Sequence, residues 1–224
     1  NIEGVAFCQS NLGVVYREKK DYKKSIDYFN KSITNYKNLN LTQAQSGNHA
    51  KLGHVYILNK ELEKAEIELL KALNMQLKNG YESSLASTYN SLGFLFKETD
   101  KKEAIKYYQK AAEYAKKYNY QMFLGGILIN LGSATYEAKQ ASKAIPILTK
   151  GINIADSFGK IEYVSIGYNY LSLAYEKSGA YKNALKYKKL HLTLKDSLLN
   201  IENLNAENSN MGLASKDSSR VKLQ

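Results

Sequence analysis

The sequence predicts an all-α fold, a right-handed α/α superhelix of about five helix-turn-helix repeats closed by a C-terminal capping helix. Three observations lead there. A short phrase recurs at a nearly constant step, a second pattern of small and large residues follows each occurrence at helical spacing, and the composition is that of an ordinary folded domain. The phrase begins as Leu12-Gly13-Val14-Val15-Tyr16 and returns as Leu52-Gly53-His54-Val55-Tyr56 and Leu92-Gly93-Phe94-Leu95-Phe96. It appears again as Leu131-Gly132-Ser133-Ala134-Thr135 and, degraded, as Leu171-Ser172-Leu173-Ala174-Tyr175. The small residues stand at 13, 53, 93, 132 and 172, so the steps are 40, 40, 39 and 40 residues. A fixed period of that size marks a solenoid, in which each unit buries its apolar face on its neighbours.

The second half of each unit begins eleven or twelve residues later. Ser25, Phe29 and Ser32 are followed by Ala65, Leu69 and Ala72, then Ala104, Tyr108 and Ala111, then Ala144, Leu148 and Gly151. Spacings of three, four and seven put such residues on one helix face. The fifth unit opens with Ala184 but then carries Lys188 and His191, a departure from the rule. Each unit is therefore two amphipathic helices that interlock small against large. Gly13, Gly53, Gly93 and Gly132 lie inside helices, where glycine costs roughly 0.5–1 kcal/mol relative to alanine. Close approach of the partner backbone is the expected return for that cost.

The repeats are expected at about residues 2–38, 42–79, 82–118, 121–158 and 160–195. Leu192, Leu194, Leu198, Leu199, Ile201 and Leu204 continue the helical pattern, so a capping helix is placed over 190–205. The solenoid is thus residues 1–205, and the polar stretch 206–224 reads as a flexible tail or linker. The one proline, Pro146, falls near a first turn if Ser142 is the N-cap. Tyr16, Tyr56, Tyr108 and Tyr175 occupy packing positions and read as core or core rim. Cys8, the single cysteine, reads as a packed thiol among apolar neighbours.

Composition narrows the function. The chain has 224 residues, 44% hydrophobic and 24% charged, within the range of soluble globular domains. No apolar run is long enough to span a bilayer. There is no signal peptide, and a start at Asn1 without methionine reads as an excised domain or processed product, which leaves cytoplasm and periplasm both open. His49, His54 and His191 form no ligand cluster, and no phosphate loop, nucleophile elbow or zinc-protease motif occurs. Neither a metal nor a cofactor nor a catalytic constellation is predicted, and a non-catalytic role follows. The formal net charge is +11, carried by lysines such as Lys101, Lys102, Lys106 and Lys110. With only Arg17 and Arg220 as arginines, base-specific nucleic-acid readout is disfavoured. A lysine-rich outer face could still meet an acidic partner, nucleic acid or an anionic membrane surface.

The recurring large-Leu-Gly-Tyr phrase followed by Ala, an aromatic and Ala resembles the tetratricopeptide repeat family, over about residues 4–195. The usual period in that family is 34 residues. The 40-residue period here is similar to that of sensor and scaffold regions of bacterial signalling proteins. The stretch Leu194-Lys-Asp-Ser-Leu198 resembles the segment that closes such regions in Bacteroidetes-type proteins. The resemblance implies a concave groove lined by the first helix of each repeat. Carried over position by position, it implies peptide-binding residues Phe7, Asn11, Val14, Arg17, Lys51, His54, Asn90, Phe94, Lys97, Asn130, Tyr136, Asn169, Tyr170 and Leu173. Ser10, Ile129 and Ser133 fall on the same implied lining. Asn11 and Asn130 sit where some members carry an asparagine ladder, interrupted here by Lys51, Ser91 and Tyr170. The implied function is protein or extended-peptide binding as sensor or scaffold in signal transduction. A stand-alone adaptor is the alternative, and a small-molecule substrate is not expected.

Overall fold

The computed structural model describes the backbone of residues 1–221, with side chains placed through residue 203 apart from Glu202. Ten α-helices and one short 3-10 helix follow one another, and no strand occurs among the described residues. They are α1 (Ile2–Glu18), α2 (Tyr22–Asn38), α3 (Thr42–Leu58), α4 (Leu62–Lys78), α5 (Leu85–Phe96), α6 (Lys101–Lys117), α7 (Gln121–Glu137), α8 (Ala141–Ser157), α9 (Ile161–Lys177) and α10 (Tyr181–Val221). The 3-10 helix, Glu82–Ser84, leads into α5. Consecutive helices pack pairwise, and each second helix packs on the first helix of the next pair. The result is an all-α superhelical repeat.

The period has a local cause. Two helices of 17 residues and two turns of three residues make one 40-residue step. The middle residue of each such turn is left-handed: Lys20, Asn40, Lys60, Gly80, Asn119, Lys139, Gly159 and Gly179 have φ between 55° and 78°. This conformation lets the following amide reach back over the helix end, as Asp21 N–H does to the Tyr16 carbonyl and Leu41 N–H to that of Tyr36, both at 2.9 Å. Glycine adopts it freely, whereas lysine or asparagine accepts a cost of about 1 kcal/mol. The connection from α5 to α6 is the exception. There Asp100 N–H returns to the Phe96 carbonyl at 2.8 Å, and its carboxylate caps α6 by accepting from the Lys102 and Glu103 amides at 3.0 Å.

The interlock is one of side chain over glycine. A β-carbon at Gly13 would lie 2.9 Å from the Phe29 ring, at Gly93 2.6 Å from the Tyr108 ring, and at Gly53 and Gly132 2.6 Å from Leu69 and Leu148. The large residue of each second helix therefore fills the space that the glycine of the first helix leaves. Backbone atoms approach less closely, Ala65 O at 3.2 Å from the Gly53 position being the example. Phe29, Leu69, Tyr108 and Leu148 are fully buried in consequence. The small residues beside them, Ser25, Ala65, Ala104 and Ala144, are buried too, and the Ser25 hydroxyl donates to the Gly13 carbonyl at 2.7 Å.

Several expectations are corrected. Ser142 does not cap α8, which starts at Ala141 behind Gln140. Pro146 is therefore its sixth residue and lies inside the helix, where its ring removes an amide donor. Cys8 is exposed, not packed. It shares a stripe on α1 with Val5, Leu12 and Val15, whose counterparts on later first helices lie beneath the second helix of the preceding pair. No described helix precedes α1, so Leu12 is 39% exposed where Leu52 is 1%. The reading of the four tyrosines as core or core rim, by contrast, holds: Tyr108 is in the core, and Tyr16, Tyr56 and Tyr175 are half-buried at its rim. Tyr16 and Tyr175 stack on Tyr28 and Tyr187. The helix expected over 190–205 is not a separate cap. It is the continuation of α10, which begins at Tyr181 as the second helix of the fifth pair. Leu192, Leu199 and Ile201 are exposed on it. Residues 206–221, expected as a flexible tail, continue α10 in helical backbone, and residues 222–224 lie outside the described residues.

Candidate functional site

The five first helices, α1, α3, α5, α7 and α9, meet around one concavity. A cavity of about 520 Å³ is lined by Arg17 and Glu18 from α1, Lys51 and His54 from α3, Ser87 and Asn90 from α5, Phe123 from α7 and Tyr163 from α9. Residues almost 150 positions apart in the chain thus share one wall. Four sequence-predicted residues, Arg17, Lys51, His54 and Asn90, converge here. Asn130 joins them through its amide, which donates to the Asn90 side-chain oxygen at 3.2 Å. Phe94 stands beside the His54 ring at 5.9 Å between centroids.

This end of the groove is cationic and poorly neutralised. Arg17 is bound to Glu18, its Nε donating at 3.1 Å. That carboxylate belongs to the adjacent residue and its side chain is 68% exposed, so the pair holds little energy. Lys51 has no carboxylate partner among the described residues; its ammonium donates to the Ser10 hydroxyl at 3.1 Å. Ser10 in turn donates to Asn48 at 2.7 Å, and the Asn48 amide donates to Ser32 at 2.6 Å, a polar chain running from the groove into the joint between the first two pairs. Solvent still reaches Lys51. Even so, the cavity walls strip enough water from it to lower its pKa, and Arg17 adds repulsion. Burial likewise pulls His54 down to about 4, with Arg17 adding to the shift and Glu18 opposing it. His54 is therefore a neutral imidazole near pH 7.

The other end is closed by its own charges. The Tyr170 hydroxyl donates to Glu137 Oε1 at 2.6 Å, and Lys97 Nζ lies 3.3 Å from both that carboxylate and the Tyr170 oxygen. Lys101 Nζ is 3.9 Å from the second carboxylate oxygen, and Tyr136 meets Tyr170 edge-on. Loss of water works against the Lys97 charge, but Tyr170 and Glu137 outweigh it and raise its pKa. Three more sequence-predicted residues, Lys97, Tyr136 and Tyr170, are therefore engaged with one another and with Glu137.

The remaining candidates fall elsewhere. Phe7 and Asn11 are exposed on α1 and line neither cavity wall. Val14 packs on the core of the first two pairs, against the cluster that holds Phe29 and Leu52. Asn169 is half-buried, and its carbonyl accepts from the Ser172 hydroxyl at 2.9 Å. Leu173 borders a separate cleft with Tyr181 and Leu185. Ser10, Ile129 and Ser133 are buried between neighbouring helices and do not face the groove openly.

Sequence reasoning missed Phe123, Tyr163 and the cleft next to them. A second concavity of about 640 Å³, mostly apolar, is lined by Ala86, Ser87, Tyr120, Met122, Phe123 and Phe158 among others. Ser87 and Phe123 border both cavities, so the two are continuous. Phe123 and Tyr163 sit in the first turns of α7 and α9, ahead of the positions counted from the 34-residue unit. The added length of the 40-residue period is the signal that locates them. On the outer side Lys24, Lys31, Lys64 and Lys106 pair with Asp21, Asp27, Glu61 and Glu103, whereas Lys19, Lys23, Lys102 and Lys110 form no ion pair among the described residues. Among the described residues no helix is long and apolar enough to cross a membrane.

A superhelix of paired helices around a single concave wall defines a solenoid of the kind that presents an extended binding surface. Residues 8–38 and 47–79 match the family model described as tetratricopeptide repeat, and the chain as a whole folds as an all-α superhelical repeat. Solved structures agree on the fold. BtubC (BKLC) from P. vanneervenii superposes with a TM-score of 0.76 at 18% identity, over 88% of this chain and 82% of that one. A signal-transduction ATPase with a tetratricopeptide repeat sensor from Pyrococcus horikoshii gives 0.75 at 18% identity, over 88% of this chain but 30% of that protein. A Rap protein complexed with competence and sporulation factor gives 0.68 at 17% identity, over 89% of this chain and 66% of that one. No curated protein matches the chain in sequence.

Proposed function

We propose that the concave groove binds an extended segment of a protein partner without catalysing a reaction on it, and that the chain is the sensor or scaffold part of a signal-transduction protein. The observation that carries this reading is the convergence of Arg17, Lys51, His54 and Asn90 with aromatic side chains on one open wall. Asparagine supports it, because a side-chain amide both donates and accepts and so holds a peptide backbone without reading its side chains. The Rap structure contains competence and sporulation factor, and the Pyrococcus horikoshii repeat region is a sensor, which favours the same use of the same fold here. Output passes in this reading through α10, whose first turns pack on α9 and whose helix runs on to Val221.

The test is a peptide-display selection against the folded chain and against a folded Asn90→Ala, Asn130→Ala double variant. Peptides enriched on the first and lost on the second place binding in the groove. Enrichment that survives the substitutions moves the site elsewhere and overturns the reading. For the output step, hydrogen exchange in residues 190–204 should slow when a selected peptide binds; unchanged exchange there removes α10 from the signalling role.

A further inference from the structure

The two concavities together describe a ligand. The first holds Arg17, Lys20 and Lys51 with Glu18 as its one carboxylate, and His54 is neutral there. Cations gathered in a partly dehydrated cavity repel one another, and an arriving anion relieves that repulsion while gaining charge-assisted hydrogen bonds. Lys51 is the group left waiting, since among the described residues its only partner is a serine hydroxyl. Lys97, a lysine in the same groove, already has Glu137 and Tyr170 and offers no comparable opening. The second concavity is a different kind of surface. Tyr120, Met122 and Phe158 are 40–50% exposed around it, large apolar side chains held open at the mouth of a cleft. Ser87 and Phe123 form the shared border, so the cationic cavity runs on into the apolar one.

We infer that the groove selects a peptide carrying an anionic side chain, which docks on Lys51 and Arg17, together with a large apolar side chain, which enters the cleft of Met122, Phe123 and Phe158. This rests on the reading of the groove as a peptide site and adds the chemistry of its ligand. Carboxylate and phosphate share the charge and the acceptor oxygens required. The apolar anchor supplies affinity and the anion supplies register along the groove.

The probes are three sets of fluorescein-labelled degenerate peptides. Each set has Phe fixed at one of several offsets from a central residue that is Glu, phosphoserine or Gln. Binding to the full chain is read by fluorescence anisotropy. The Glu or phosphoserine set should bind roughly tenfold more tightly than the Gln set, a preference that Lys51→Met with Arg17→Gln abolishes. The ratio of Glu to phosphoserine affinity says which oxyanion is preferred. Lys97→Met should leave the preference intact. Phe158→Ser should weaken all three sets alike, because it removes the anchor and not the charge. Equal binding of charged and Gln sets, with both lost in the Asn90→Ala, Asn130→Ala variant, overturns the anionic docking while the groove reading stands. Binding indifferent to that variant overturns both, and no binding by any set overturns the inferred ligand. Circular dichroism melts confirm that each variant is folded.

Discussion

Lys51 and Lys97 occupy the same groove, and the protein treats them in opposite ways. Lys97 sits at the end of α5 with Glu137 from α7 and the Tyr170 hydroxyl from α9 at 3.3 Å, and its pKa is raised. Lys51 sits on α3 with a serine hydroxyl for company, and its pKa is lowered. One end of the groove is thus cross-linked by internal charge, and the other holds charge in reserve. The difference teaches how a repeat protein divides labour along one surface. Lys51 stands two residues before Gly53 and Lys97 four residues after Gly93, so they hold different register positions. What each meets on the neighbouring repeats makes Lys97 a tie in the stack and leaves Lys51 without a carboxylate among the described residues.

The largest way to test this division is acid. His54 belongs to the reserved end, and its pKa of about 4 lies below the 6.5 of an unfolded histidine. Between those values the native state binds fewer protons than the unfolded state, so stability falls as pH drops from about 6.5 and the loss is complete below about 4. At about 1.4 kcal/mol per pH unit the loss is of order 3 kcal/mol. Urea melts from pH 7 to pH 4 should show it, and His54→Gln should remove that portion of the acid sensitivity. If the variant keeps the parent's full pH dependence, the imidazole is not held neutral by its cavity.

Next in size is the closed end. Glu137→Ala leaves Lys97 and Tyr170 without their acceptor, and it should lower stability by about 2 kcal/mol, less than for a fully buried pair because both side chains are about one-fifth exposed. A loss below about 0.5 kcal/mol in denaturant melts would mean that the cross-link is ornamental and the two ends are alike. Tyr108 offers a gain on the same side. Its hydroxyl is buried and lacks a partner among the described residues, and burial pushes its pKa upward. Tyr108→Phe should therefore be neutral or stabilise by up to about 1 kcal/mol. Clear destabilisation would reveal a hydrogen bond to water or to a neighbour. The smallest stability effect belongs to Lys51→Met, within about 0.5 kcal/mol of the parent, because it removes an ion that no carboxylate holds. A thermal melt separates that near-silence from the binding loss expected for the same residue. Destabilisation by more than about 1 kcal/mol would place Lys51 among the structural charges instead.

How much of this was readable in advance differs by scale. The phrase at Gly13, Gly53, Gly93 and Gly132, with Phe29, Leu69, Tyr108 and Leu148 above it, carries the fold class. Glycine and its covering side chain lie within one helical pair, and their spacing is local in the chain. The groove was legible only in part. Arg17, Lys51, His54 and Asn90 do share a wall, but Val14 turns into the core and Leu173 into another cleft. A helix face seen in sequence does not say which neighbour covers it. Phe123 escaped notice because it lies in the extra helical turn that the longer period adds, ahead of the counted positions. Cys8 and Leu12 carry the apolar pattern of a covered face, yet no described helix covers them.

The all-α repeat, its period of about 40 residues and the interlock of small against large were thus written in the chain alone, because each is set by interactions within about 40 residues. The character of the groove comes from how the repeats stack. The small rotation added at each repeat accumulates along the solenoid, and that sum brings Tyr163 into the same wall as Arg17 and lets Glu137 and Tyr170 reach Lys97. Such ties depend on distances of a few ångströms between residues as far apart in the chain as Lys97 and Glu137 or Lys97 and Tyr170. No local pattern encodes such a distance, which is why the same residue type became a structural tie at one end of the groove and an unpaired cation at the other.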